Sequence, residues 1–81
     1  MEFNKDKVDE YTLALLYLVM WEEKHYGARA WKSFDWDTMD RLCEKGFVHD
    51  PKNKSKSVAV TEKGFEKAKK LFNKFFGEGN E

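Results

Sequence analysis

Eighty-one residues, 41% hydrophobic, 16% aromatic and 37% charged, describe one small globular domain and exclude a disordered chain. A single cysteine excludes an intramolecular disulfide and leads to the expectation of a cytoplasmic protein held together by packing. The net charge of zero conceals an asymmetry, because residues 1–44 hold six Lys/Arg and ten Asp/Glu, residues 45–76 hold nine Lys and three acids, and the last five residues add two more acids.

The first element is a helix expected over about residues 5–23, with Asn4 or Asp6 able to cap it. Its residues Leu13, Ala14, Leu15, Leu16, Tyr17, Leu18, Val19 and Met20 surround the axis, so burial on several sides is expected, either within the chain or against a second subunit. The apolar run Tyr11–Trp21 is shorter than the roughly 20 residues of a membrane span, and it follows a charged segment, unlike a secretory signal. No membrane partner is therefore expected. "KHYGARAWKSF" (24–34) predicts an irregular connection around Gly27, in which "RAWKSF" fits either a brief strand or one helical turn. Trp31 and Phe34 are expected to close the core.

A second helix over about residues 35–45 starts at Ser33 or Asp35 and stops at Gly46, with Trp36, Met39, Leu42 and Cys43 on an inward face. Cys43 on that face reads as a small buried hydrophobe. "FVH" and "SVAV" then predict a hairpin over about residues 47–60, with Val58 and Val60 inward and a turn at Pro51 and Asn53. Thr61 caps a last helix over about residues 62–76, whose Phe65, Ala68, Leu71, Phe72, Phe75 and Phe76 share one face opposite its lysines. Gly77 ends it, and the tail 77–81 should fray.

Catalytic parts do not assemble from these elements. His25, His49 and Cys43 lack metal-ligand spacing, Ser33, Ser55 and Ser57 have no evident base, and Asp35 and Asp37 serve a helix start. A non-enzymatic protein without cofactor or metal is expected.

The order helix, connection, helix, basic hairpin, helix carries a resemblance. From "MDRLCEKGFV" through "SVAVTEKGFEKAKKLF" the chain resembles the winged helix-turn-helix of MarR-like and PadR-like bacterial regulators. There a helix ending in Leu-x-x-x-Gly and an apolar pair lead into a charged wing, and the second strand ends in Thr-x-x-Gly. Leu42, Gly46, Phe47, Val48, Thr61 and Gly64 stand at those positions. The resemblance implies an α+β, winged-helix-like domain of three main helices, with a two-stranded wing between the second helix and the last. With "ALLYL", "RAWKSFDWD" and "KSVAVTEKG", the whole chain is also similar to a family of small uncharacterised bacterial proteins, which brings no activity with it.

Two features separate this sequence from a DNA reader. One helix stands between the first helix and the wing where the motif uses two. That helix presents Asp37, Asp40 and Glu44 with Arg41 as its lone cation, a face that repels phosphate. The favoured expectation is a protein-interaction module, a homodimer or a partner-binding domain, using Tyr11, Leu15, Leu18, Phe72, Phe75 and Phe76 or the acidic face. The alternative is weak, non-specific nucleic-acid binding through Lys52, Lys54, Lys56, Lys63, Lys67 and Lys70.

Overall fold

The computed structural model describes residues 1–23, 27–52 and 55–79; Lys54, Asn53 and His25 lie outside them. Among the described residues the chain is an α+β domain of three α-helices and a three-stranded antiparallel sheet. In chain order these are α1 (Lys5–Leu16), a 3-10 turn (Tyr17–Val19), β1 (Met20–Glu23), β2 (Gly27–Trp31), α2 (Trp36–Glu44), β3 (Ser57–Val60) and α3 (Glu62–Phe76). The sheet order is β1-β2-β3.

The first helix is shorter than its apolar pattern suggests. Asn4 caps it by accepting from the Lys7 N–H, but the helix stops at Leu16 instead of near residue 23. Tyr17–Val19 tighten into a 3-10 turn, and at Met20 the backbone becomes extended. An apolar run fits a buried helix or a buried strand equally well. Here the chain turns extended at Met20 and Trp21, where β2 supplies the ladder partner. The segment expected to be irregular is correspondingly a strand over residues 27–31, entered through Gly27 at φ 82°. Trp21 pairs with Arg29, Met20 with Ala30 and Glu22 with Ala28.

The expected two-stranded wing is also revised. β3 pairs with β2, matching Ala28 to Val60 and Ala30 to Val58, while the "FVH" arm contributes one bridge from Val48 to Val60. That arm is cut short by Asp50 and by Pro51, which lacks a backbone donor. Its few bonds run from the His49 N–H to the Ala59 carbonyl and from the Thr61 N–H to the Phe47 carbonyl.

The sheet buries its Ala28, Ala30, Val58 and Val60 face, joined in the core by Leu13, Ala14, Leu16, Met39, Leu42, Val48, Ala68 and Leu71. Two expected core tryptophans are outside it. Trp31 is 51% exposed because it follows Ala28 and Ala30 in the pleat, and alternation turns it to the opposite face. Trp36 is 64% exposed because it opens α2, where the inward positions are Thr38, Met39 and Leu42. Phe34 is half-buried and packs on the core as expected, and Cys43 is half-buried beside it.

The Thr-x-x-Gly step has a direct structural reason. The Thr61 hydroxyl accepts from the Gly64 N–H at 2.8 Å and donates to the Gly46 carbonyl at 2.7 Å. A Cβ on Gly64 would overlap the Phe47 backbone, so only glycine lets α3 start this close to the bridge. Gly46, at φ 84°, turns the chain out of α2.

Candidate interaction surfaces

α1 meets α2 through charge. Asp9, 2% exposed, lies in the seam between them. Arg41 donates to both its oxygens from Nε, at 2.8 and 3.0 Å, and pairs again from Nη2 at 2.8 Å. Lys45 Nζ reaches the second oxygen at 2.7 Å and also Asp6 at 3.0 Å. Arg41 Nη2 continues to the Thr38 hydroxyl, which donates to Asp35, the cap of α2. Burial pushes the Asp9 carboxyl up, but its bonds from Arg41 and Lys45 together outweigh that and hold it below the ordinary value of 3.8. The hydrogen bond to Asp9 likewise raises Arg41 and Lys45 above their ordinary values.

This network decides what α2 offers to a partner. Arg41 is committed to Asp9, leaving an outer face of Trp36, Asp37 and Glu44 exposed and Asp40 half-buried. The one cation that the sequence placed on that face is turned inward. Phosphate meets only carboxylates there.

The apolar side chains expected to contact a partner come together along α1 and the end of α3. Tyr11 and Leu15, at i and i+4 on α1, are exposed away from the buried Asp9, Leu13 and Leu16, and Leu18 in the 3-10 turn that follows is exposed as well. The two helices run antiparallel, with Tyr11 stacked on Phe75 at 4.3 Å and Tyr17 against Phe65 at 6.0 Å and Phe72 at 5.5 Å. Phe72 and Phe75 are half-buried and serve this seam, while Phe76, exposed, packs beside both. The exposed apolar set is therefore Tyr11, Leu15, Leu18 and Phe76, with Leu18 at 64%.

The lysines divide. Lys63 donates to the Lys45 carbonyl at 3.1 Å and lies over the Phe47 ring, and Lys74 lies over Phe75. Lys67 and Lys70 are exposed on the same side of α3, at i+4 and i+7 from Lys63. Lys52 and Lys56 are also exposed, and Lys54 lies outside the described residues.

Sequence reasoning missed the outer face of the sheet. There Trp21 and Trp31 pack at 5.1 Å, and Arg29 donates to the Ser57 hydroxyl at 2.9 Å and to its carbonyl at 3.2 Å. Reading "MWEE" and "GARAW" as a hairpin about Gly27 would have put Trp21, Arg29 and Trp31 on one face. Asp9 was missed as well, since one acid among several in a helix carries no signal of burial. No group of three or more His, Cys, Asp and Glu side chains among the described residues is placed to hold a metal, and no described helix is long and apolar enough to cross a membrane.

The fold and surfaces define a small α+β protein whose prominent features are faces. Residues 4–78 match the family model described as "Domain of unknown function (DUF6429)", and the chain belongs to that family. It is 46% identical over 76 residues to "Uncharacterized protein y4hR" of the bacterium Sinorhizobium fredii, covering 94% of this chain and 97% of that one. No solved structure matches the chain.

Proposed function

We propose that the protein is a non-enzymatic interaction module on a winged-helix-like scaffold, and that it works as a homodimer joined through the exposed apolar side chains of α1 and the 3-10 turn after it. The Tyr11, Leu15 and Leu18 stripe, extended by Phe76, carries this reading. A two-fold pairing of the stripe with itself uses each side chain twice. Fully burying such a side chain contributes about 1.5–3 kcal/mol, and these begin half-exposed, so eight of them supply on the order of 8 kcal/mol. Association costs about 4–15 kcal/mol, which makes the dimer weak and concentration-dependent. The scaffold reading is supported by β3, which lies between β2 and the Val48 bridge and leads through Thr61 into α3. Sedimentation velocity across a concentration series tests the dimer: a rising mean mass that Leu18→Glu abolishes is expected, and a monomer at every concentration refutes it.

One observation favours a second reading. Lys67 and Lys70 are exposed and make no ion pair among the described residues, so α3 offers phosphate a basic side that α2 does not. Titration of labelled duplex at low and moderate salt distinguishes the two. Salt-sensitive binding lost in Lys67→Glu/Lys70→Glu would favour nucleic acid; its absence at low salt leaves the interaction reading alone.

A further inference from the structure

The sheet turns one face to the core and the other outward. Register puts Trp21 beside Arg29 and Trp31 beside Ser57 at outward positions of the pleat, with Ala59 across from Arg29. Trp21 and Trp31 meet at 5.1 Å with their rings tilted by 51°, and Trp31 is 51% exposed. Arg29, half-buried, donates from Nε and Nη2 to Ser57 and makes no ion pair among the described residues. The rung beyond Trp31 joins the Lys32 N–H to the Lys56 carbonyl at 3.2 Å, and Lys56 is exposed, so a second cation stands at this end of the ladder. Glu23 holds the position opposite Gly27, at the other end of the face, next to residues 24–26, which lie outside the described set. α3 packs on the opposite side of the sheet, where Ala68 and Leu71 join Ala28, Ala30, Val58 and Val60 in the core.

The chemistry of the Trp31 end is lopsided. Guanidinium and indole N–H groups donate and accept nothing, and the Ser57 hydroxyl is already engaged with Arg29 and Ser55. A ligand that fits presents flat rings to the indoles and acceptors without donors to the cations. A sugar brings a hydroxyl donor with every acceptor, and a peptide brings a backbone N–H with nearly every carbonyl. The described outward side chains hold no carboxylate to receive either. An unpaired strand of nucleic acid supplies both parts on one chain, bases that stack on aromatic side chains and phosphates that pair with Arg and Lys. In a duplex the base faces are already stacked on one another. We infer that the outer face of the sheet binds single-stranded nucleic acid, one base stacking on Trp31 and the adjoining phosphates meeting Arg29 and Lys56. The site depends neither on the dimer nor on Lys67 and Lys70.

Fluorescence anisotropy tests this, with the full chain titrated into end-labelled oligothymidylate and oligouridylate of about eight nucleotides, and into a duplex and an abasic strand of the same length. The single strands should bind about tenfold tighter than the duplex or the abasic strand. Neutralising two phosphates should weaken that binding roughly sevenfold between about 50 and about 200 mM salt. Tighter binding of oligouridylate identifies RNA as the source, tighter binding of oligothymidylate DNA, and equal binding a site blind to the 2′-hydroxyl; each supports the inference. Trp31→Ala, a change at an exposed position, should weaken single-strand binding about tenfold, and Arg29→Gln several-fold. The Leu18→Glu and Lys67→Gln/Lys70→Gln proteins should bind single strands as the native chain does. No single-strand binding at low salt overturns the inference, and so does a duplex or abasic strand bound as tightly. Full affinity in Trp31→Ala, or affinity lost in Lys67→Gln/Lys70→Gln, overturns it as well.

Discussion

α1 is fixed by two seams that differ in chemistry and in how far they reach toward solvent. Against α2 it is held by a closed set of ionic hydrogen bonds centred on Asp9. Against α3 it is held by rings, Tyr11 on Phe75 and Tyr17 between Phe65 and Phe72, and that apolar contact continues outward as the exposed Tyr11, Leu15, Leu18 and Phe76. The ionic seam satisfies its groups internally and leaves little for a partner. The aromatic seam leaves apolar surface over, and that surplus is the surface proposed above to meet a second copy.

Breaking the ionic seam should have the largest effect. Asp9→Asn keeps the shape but leaves Arg41 without its counter-charge and Lys45 with only the exposed Asp6, at a cost of about 3 kcal/mol, reduced from the fully buried range because Lys45 is 36% exposed. Thermal unfolding should show it as a fall of roughly 15 °C. Phe75→Ala, which removes the ring stacked on Tyr11 from a half-buried site, should cost about 2 kcal/mol in the same measurement.

Acid separates the seams further. The folded-state pKa of Asp9 lies below its ordinary value, so its stabilisation is fully present above the unfolded pKa of about 4 and is lost as pH falls through the lowered folded value. The raised pKa values of Arg41 and Lys45 have the opposite sign, so their contribution holds through neutral pH and is lost only in strong alkali. Urea titrations between pH 6 and pH 2.5 should show Asp9→Asn losing less stability on acidification than the native chain, with Phe75→Ala tracking the native slope. The smallest effect on stability belongs to the exposed apolar residues: Leu18→Glu should change it by less than about 0.5 kcal/mol while removing the proposed dimer.

Local chemistry was legible in the sequence where it acts over one turn. Asp35 and Thr61 stand at the helix starts as caps, Gly46 closes α2, and Val58 and Val60 alternate inward. What was not legible depends on partners distant in sequence. Whether Tyr17–Trp21 continue a helix or begin a strand is decided by β2, which a run of apolar residues does not reveal. Trp31 and Trp36 looked like core because tryptophan usually is, yet pleat alternation puts one outside and a helix start the other. Among the candidate contacts, the aromatic spacing on the last helix pointed to its inner face, but the division of Phe72 and Phe75 into the seam and Phe76 into the exposed set needed α1 in place. The inward commitment of Arg41 required Asp9, 32 positions earlier.

A nitroxide label at Leu18, on a Cys43→Ser background, tests the stripe directly through dipolar distances between molecules. A short intermolecular distance at Leu18, and a long one when the label is moved to Asp37, is the result this account predicts. No intermolecular coupling at Leu18 at high protein concentration, or a shorter distance from Asp37, would contradict it.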